Sequence, residues 1–120
     1  MTEVVRPLTV LSEEQETLVS EVRRFCEEEI RPRVADMDQE GKLDPKIVEH
    51  MFETGLMGID VPEEYGGSGM EFTDAILVIE EIAKVDPSVA VVCDVQNTLF
   101  NNAIRRWGTD EQKKVWLPKL

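Results

Sequence analysis

Only one histidine, His50, and two cysteines, Cys26 and Cys93, occur in the 120 residues. That scarcity excludes most metal chemistry, because His50 has no second ligand at a usable spacing and the cysteines form no C-x-x-C pair. The same scarcity leaves no Ser/His/Asp or Cys/His set for a nucleophile. Each cysteine lies in an apolar stretch and reads as a small buried hydrophobe. Basic residues are also few, thirteen against twenty-five acidic ones, for a formal charge of −12. The average field therefore repels phosphate backbones and anionic lipid headgroups, which argues against nucleic acid and membrane partners. No apolar run is long enough to span a bilayer, and Thr2-Glu3-Val4-Val5-Arg6 has neither the apolar core of a signal peptide nor the acid-poor character of a transit peptide. A reducing aqueous compartment is expected, bacterial cytoplasm or, in a eukaryote, the mitochondrial matrix.

What is present is helix punctuation. Ser12-Glu13-Glu14-Gln15 has the pattern of a capping box. Leu18, Val22, Phe25, Cys26 and Ile30 follow at three- and four-residue steps, so one face is apolar. Glu27 with Arg31, and Glu29 with Arg33, are spaced to pair on the outside. Pro32 ends or kinks this helix, and Val34 and Met37 imply that it resumes before Gly41. Asp44-Pro45 reads as an N-cap with proline at the first helical position; Ile47, Val48, Met51 and Phe52 supply a buried face, and Gly55 a stop. Pro62 and Gly66-Gly67-Ser68-Gly69 mark residues 56–69 as a loop.

From Phe72 to Lys84 the residues Ala75, Ile76, Ile79, Ile82 and Ala83 resume helical spacing, with Glu80 and Lys84 as one more i,i+4 pair. The valines from Ser88 to Val95 would suit a strand on propensity. Asp86-Pro87 before them and Gly108 after decide for helix. Thr109-Asp110-Glu111-Gln112 opens a last short helix that Pro118 closes. Five helices with short connections predict an all-α antiparallel bundle.

Few residues here promise chemistry. Gly66-Gly67-Ser68-Gly69 has amides that could cradle a phosphate, but lacks G-x-G-x-x-G or Walker spacing, so a tight turn is the better account. Glu80 and Glu81 are adjacent on a helix and point about 100° apart, and Glu63 and Glu64 lie in a polar loop, so neither pair suits acid/base work. Val91, Val95 and Leu99 fall at i, i+4 and i+8 as one aliphatic stripe. Spacing allows two readings of it, a helix facing the bundle core or the wall of a ligand pocket, and the core is the plainer one.

Leu56-Met57-Gly58-Ile59 with Pro62 to Gly69, Val78 to Asp86, Gln96-Asn97-Thr98-Leu99, and Gly108 to Lys113 through Leu117-Pro118 together resemble the N-terminal helical domain of acyl-CoA dehydrogenases. The match runs in order from about Leu8 to Leu120, and looks closest to the short- and branched-chain members. The resemblance implies an FAD enzyme that oxidises an acyl-CoA to a trans-2-enoyl-CoA. A glutamate takes the alpha proton while the beta hydrogen passes as hydride to the flavin, and an electron-transferring flavoprotein collects the electrons. It implies a homotetrameric parent.

The base and nearly all flavin contacts of such enzymes lie in a middle β-domain and a C-terminal helical domain, which these 120 residues do not contain. No residue here is therefore assigned as catalytic, and no flavin is expected to be held by this chain alone. The resemblance carries over only an acyl-pocket wall, Val91, Val95 and Leu99, where valine at 91 and 95 implies a short or methyl-branched chain. Two other readings stand beside it: a self-sufficient helical interaction module, and part of an acyl-CoA oxidase or flavin monooxygenase, which resemble the same domain.

Overall fold

The computed structural model describes Val5 and residues 7–120, and among them every regular element is helical. Helix α1 (Glu13–Phe25) starts at the Ser12 box, where the Ser12 Oγ accepts the Gln15 amide and the Gln15 side chain accepts the Ser12 amide. It does not stop at Pro32. Through a π-helical turn (Cys26–Ile30) and a 3-10 turn (Arg31–Arg33) it runs on into α2 (Val34–Glu40). The cause is local: Pro32 has no amide for the Glu28 carbonyl and its ring crowds that oxygen. Widening the preceding turn, in which the Arg31 amide donates to the Cys26 carbonyl, absorbs the clash without breaking the rod.

Helix α3 (Pro45–Glu53) is capped by Asp44, α4 (Phe72–Val85) by Glu71, and α5 (Pro87–Asp94) by Asp86, whose Oδ1 accepts the Ser88 and Val89 amides. A second π-helical turn (Val95–Asn101) joins α5 to α6 (Asn102–Trp107), and the Thr109 box opens α7 (Asp110–Trp116). The expected five rods are thus present, two of them widened in the middle. The valine-rich span from Ser88 is helical, because the Asp86-Pro87 start outweighs propensity.

The core lies where α1, α4 and α5 pack, with α3 and the 56–59 segment closing it: Val22, Cys26, Ile30, Ile47, Met51, Ile59, Val78, Ile82, Val89 and Cys93 are all 3% exposed or less. Three expectations are corrected. Phe52 and Ile76 are not on the buried faces of their helices but 45% and 44% exposed. Lys84 pairs with Glu81 rather than Glu80, because Glu81 is the carboxylate at the α1–α4 contact, where Arg23 also reaches it through both oxygens at 3.1 and 3.2 Å. The Glu27–Arg31 and Glu29–Arg33 pairs form as the spacing requires. No helix among the described residues is long and apolar enough to cross a membrane.

Candidate functional site

The rod formed by α5, the 95–101 turn and α6 has two opposite strips, each stepping by four. Val89, Cys93, Asn97 and Asn101 are buried to 1% exposure or less. Val91, Val95, Leu99, Ala103 and Trp107 run along the other side: Val91, Leu99, Ala103 and Trp107 are exposed and Val95 half-buried. Running the sixteen residue steps from Val91 to Trp107, this second strip is about 24 Å long and none of its five side chains is charged. The three sequence-predicted pocket residues therefore share one face, and for Val91 and Leu99 that face is not the core of this chain; Val91 is 57% and Leu99 61% exposed. For Val91 and Leu99 the core reading of the stripe is corrected, since the core side of the rod is the one on which Val89 and Cys93 pack. Beyond Leu99 the apolar surface continues through Phe100 to a cleft of about 350 Å³ between Ala103, Ile104, Trp107 and the α7 residues Gln112 and Trp116.

A solvent-facing apolar strip persists because the opposite strip is held firmly. The Asn97 amide accepts the Ile59 backbone N–H at 2.9 Å and donates to the Leu56 and Cys93 carbonyls, both at 2.9 Å. Asn101 donates to the Met57 carbonyl at 2.8 Å. Four residues further along, Arg105 donates to the nearly buried Asp60 carboxylate at 2.6 Å. Nothing in the residue types of Asn97 and Asn101 announces these polar contacts. The one available signal was their four-residue phase with Val89 and Cys93.

The glycine-rich loop does not fit a phosphate. Its amides are already used: Gly66 donates to Glu63, Gly67 to Pro62, Ser68 to Gly58, and Gly69 to Val61. A Cβ on Gly67 would overlap the Val61 carbonyl, so glycine is needed there for close approach of backbone to backbone. A dinucleotide's pyrophosphate would find no free donors in this turn.

The carboxylates and thiols are equally engaged. Burial raises the Glu81 pKa, but the hydrogen bonds and charges of Arg23 and Lys84 outweigh it and hold the carboxyl below its usual range. Glu80 is exposed and turned away. His50 Nδ1 lies 3.1 Å from a Glu29 oxygen, and no metal-ligand cluster occurs among the described residues. Both cysteines are free and fully buried, and burial pushes the Cys26 thiol up to about 11 and the Cys93 thiol to about 12.

The sequence profile described as "Acyl-CoA dehydrogenase, N-terminal domain" matches residues 12–120. The short/branched chain specific acyl-CoA dehydrogenase of Bos taurus mitochondria is 46% identical over 114 residues, which cover 95% of this chain and 26% of that protein. The butyryl-CoA dehydrogenase of Megasphaera elsdenii superposes with a TM-score of 0.84 at 30% identity, over 91% of this chain and 29% of its own. A chain solved in work on the electron transferring flavoprotein of Acidaminococcus fermentans gives 0.87 at 34% identity, over 91% and 29%. The chain thus spans between a quarter and a third of the length of these proteins.

Proposed function

Because the chain belongs to the acyl-CoA dehydrogenase family, of which it is the N-terminal domain, we propose that it supplies one wall of the acyl pocket in a longer enzyme. That enzyme oxidises a short or methyl-branched acyl-CoA to the trans-2-enoyl-CoA. In this reading residues 1–120 are the N-terminal helical domain, and a middle β-domain and C-terminal helical domain provide the base and hold FAD. The glycine turn, whose amides are spent on its own backbone, is compatible with that division of labour. Alone, the 120-residue chain turns over no substrate. Electrons leave the complete enzyme to an electron-transferring flavoprotein.

One observation carries the pocket assignment: Val91, Val95 and Leu99 lie on an uncharged strip opposite the buried one, with Val91 and Leu99 more than half exposed. Apolar side chains turned toward solvent on a well-packed helix suit a surface completed by something else. The thioester's fatty end is uncharged, so a strip free of acidic groups suits it despite the net charge of −12. Branched valines shorten the space available, which favours a short or methyl-branched tail, in keeping with the name of the bovine relative.

The test is the complete flavoenzyme carrying Val95→Ala or Val95→Gly. Removing methyl groups from the end of a hydrophobic pocket should raise kcat/KM for octanoyl-CoA relative to butyryl-CoA by about tenfold. An unchanged chain-length profile overturns the assignment.

A further inference from the structure

Asn97 and Asn101 are the two uncharged polar side chains sealed in the core of the described residues, at 0% and 1% exposure. Asn97 uses three of its four hydrogen-bonding positions on backbone, and two of those bonds reach across to the 56–59 segment. Its third bond goes to the Cys93 carbonyl, four residues back. In an α-helix that carbonyl is the acceptor for the backbone amide of residue 97 itself. Thr98 does the same one step on, its Oγ1 donating to the Asp94 carbonyl at 2.9 Å. Side chains inserted into the backbone ladder are a known cause of a widened turn, and the π-helical turn covers Val95–Asn101.

The widening has a geometric result. In an α-helix each four-residue step overshoots a full turn by about 40°, so strips at that spacing drift around the rod. Two such steps from Cys93 would carry Asn101 about 80° off the buried face. Yet Cys93, Asn97 and Asn101 stay sealed together, and Val91, Val95 and Leu99 stay together on the far side, because a wider turn rotates less per residue. The direction of Leu99 relative to Val91 is thus set by the turn, and the turn is held from behind by the asparagines.

We propose that Asn97 and Asn101 are positioning residues that set the depth of the acyl pocket, clasping the 56–59 backbone so that the widened 95–101 turn keeps Val95 and Leu99 in line along its wall. This rests on the pocket reading above. If the turn relaxes to α geometry, Leu99 swings away from the wall and the floor of the pocket deepens.

The experiment measures kcat/KM for butyryl-CoA and octanoyl-CoA in the complete flavoenzyme with Asn97→Leu, Asn101→Leu and, separately, Val95→Ala. The ratio between the two substrates is independent of how much enzyme is folded, so a purely structural loss lowers both values in parallel. Either asparagine variant should shift the ratio toward octanoyl-CoA by about tenfold. Asn101 makes fewer backbone bonds, so Asn101→Leu gives the readout if Asn97→Leu does not fold. An unchanged ratio in the folded asparagine variants, with a shifted one in Val95→Ala, overturns this inference and leaves the pocket reading standing. An unchanged ratio in all three removes both.

Discussion

The side chains with the most unusual environments in this chain are structural, and their titration behaviour distinguishes that role from a catalytic one. Cys93 is fully buried, its Sγ lies 3.4 Å from the Leu56 carbonyl, and burial pushes its thiol up to about 12. The nucleophilic form is the thiolate, so neither Cys93 nor Cys26 should react with iodoacetamide in the native protein at neutral pH. Labelling followed by mass spectrometry should find both thiols free until denaturant is added. Glu81 is the opposite case, a nearly buried carboxyl kept ionised by Arg23 and Lys84. Its folded pKa lies below the unfolded one, so its contribution to stability is present above the ordinary carboxylate range of about 4.3 and is lost as pH falls through the lower folded value. Thermal melts between pH 6 and pH 3 should therefore show the parent chain's advantage over Glu81→Gln shrinking toward acid. An advantage that stays constant across that range would mean the ion pair is energetically silent.

At the scale of elements, the helices were legible in the sequence because their ends are written in short-range chemistry. Ser12, Asp44, Asp86 and Thr109 all cap as their side chains require. The two π-helical turns were not legible. The first arises where Pro32 meets an otherwise continuous helix, and the second coincides with Asn97 and Asn101, whose partners include backbone about forty positions away that no local pattern encodes. The exposed position of Val91 and Leu99 was likewise hidden, since periodicity reports that residues share a face but not which face is covered. The glycine turn gives a sharp test of the packing argument. Gly67→Ala forces a Cβ into the Val61 carbonyl and should cost about 3 kcal/mol. At Gly41 a Cβ meets open space and only the left-handed backbone, φ 63°, resists, so Gly41→Ala should cost about 1 kcal/mol. Urea midpoints would order the two; equal losses would contradict the close-approach reading of Gly67.

On the scale of the whole molecule, the chain is a slab rather than a sphere. Its principal extents are 53 × 38 × 18 Å and its radius of gyration is 15.5 Å, against about 13.6 Å for a compact domain of this length. Its accessible surface is 8222 Å², where a compact monomer of its mass would show about 6600 Å². The short dimension is roughly two packed layers of helix, so one broad face of each layer has nothing behind it. The face bearing Val91, Leu99, Phe100, Trp107 and Trp116 concentrates apolar side chains between 52% and 83% exposed, more than scattered surface residues require. The folded 120-residue chain should accordingly bind a hydrophobic dye such as ANS, and the double variant Leu99→Asp with Phe100→Asp should bind much less while melting within a few degrees of the parent. That combination separates an open interface from a loosened core, because a molten core would take up dye in both proteins. A stand-alone interaction module with a finished surface predicts the reverse, negligible dye uptake by the parent. On the pocket reading proposed above, a longer enzyme that covers these residues should also leave the dye unbound.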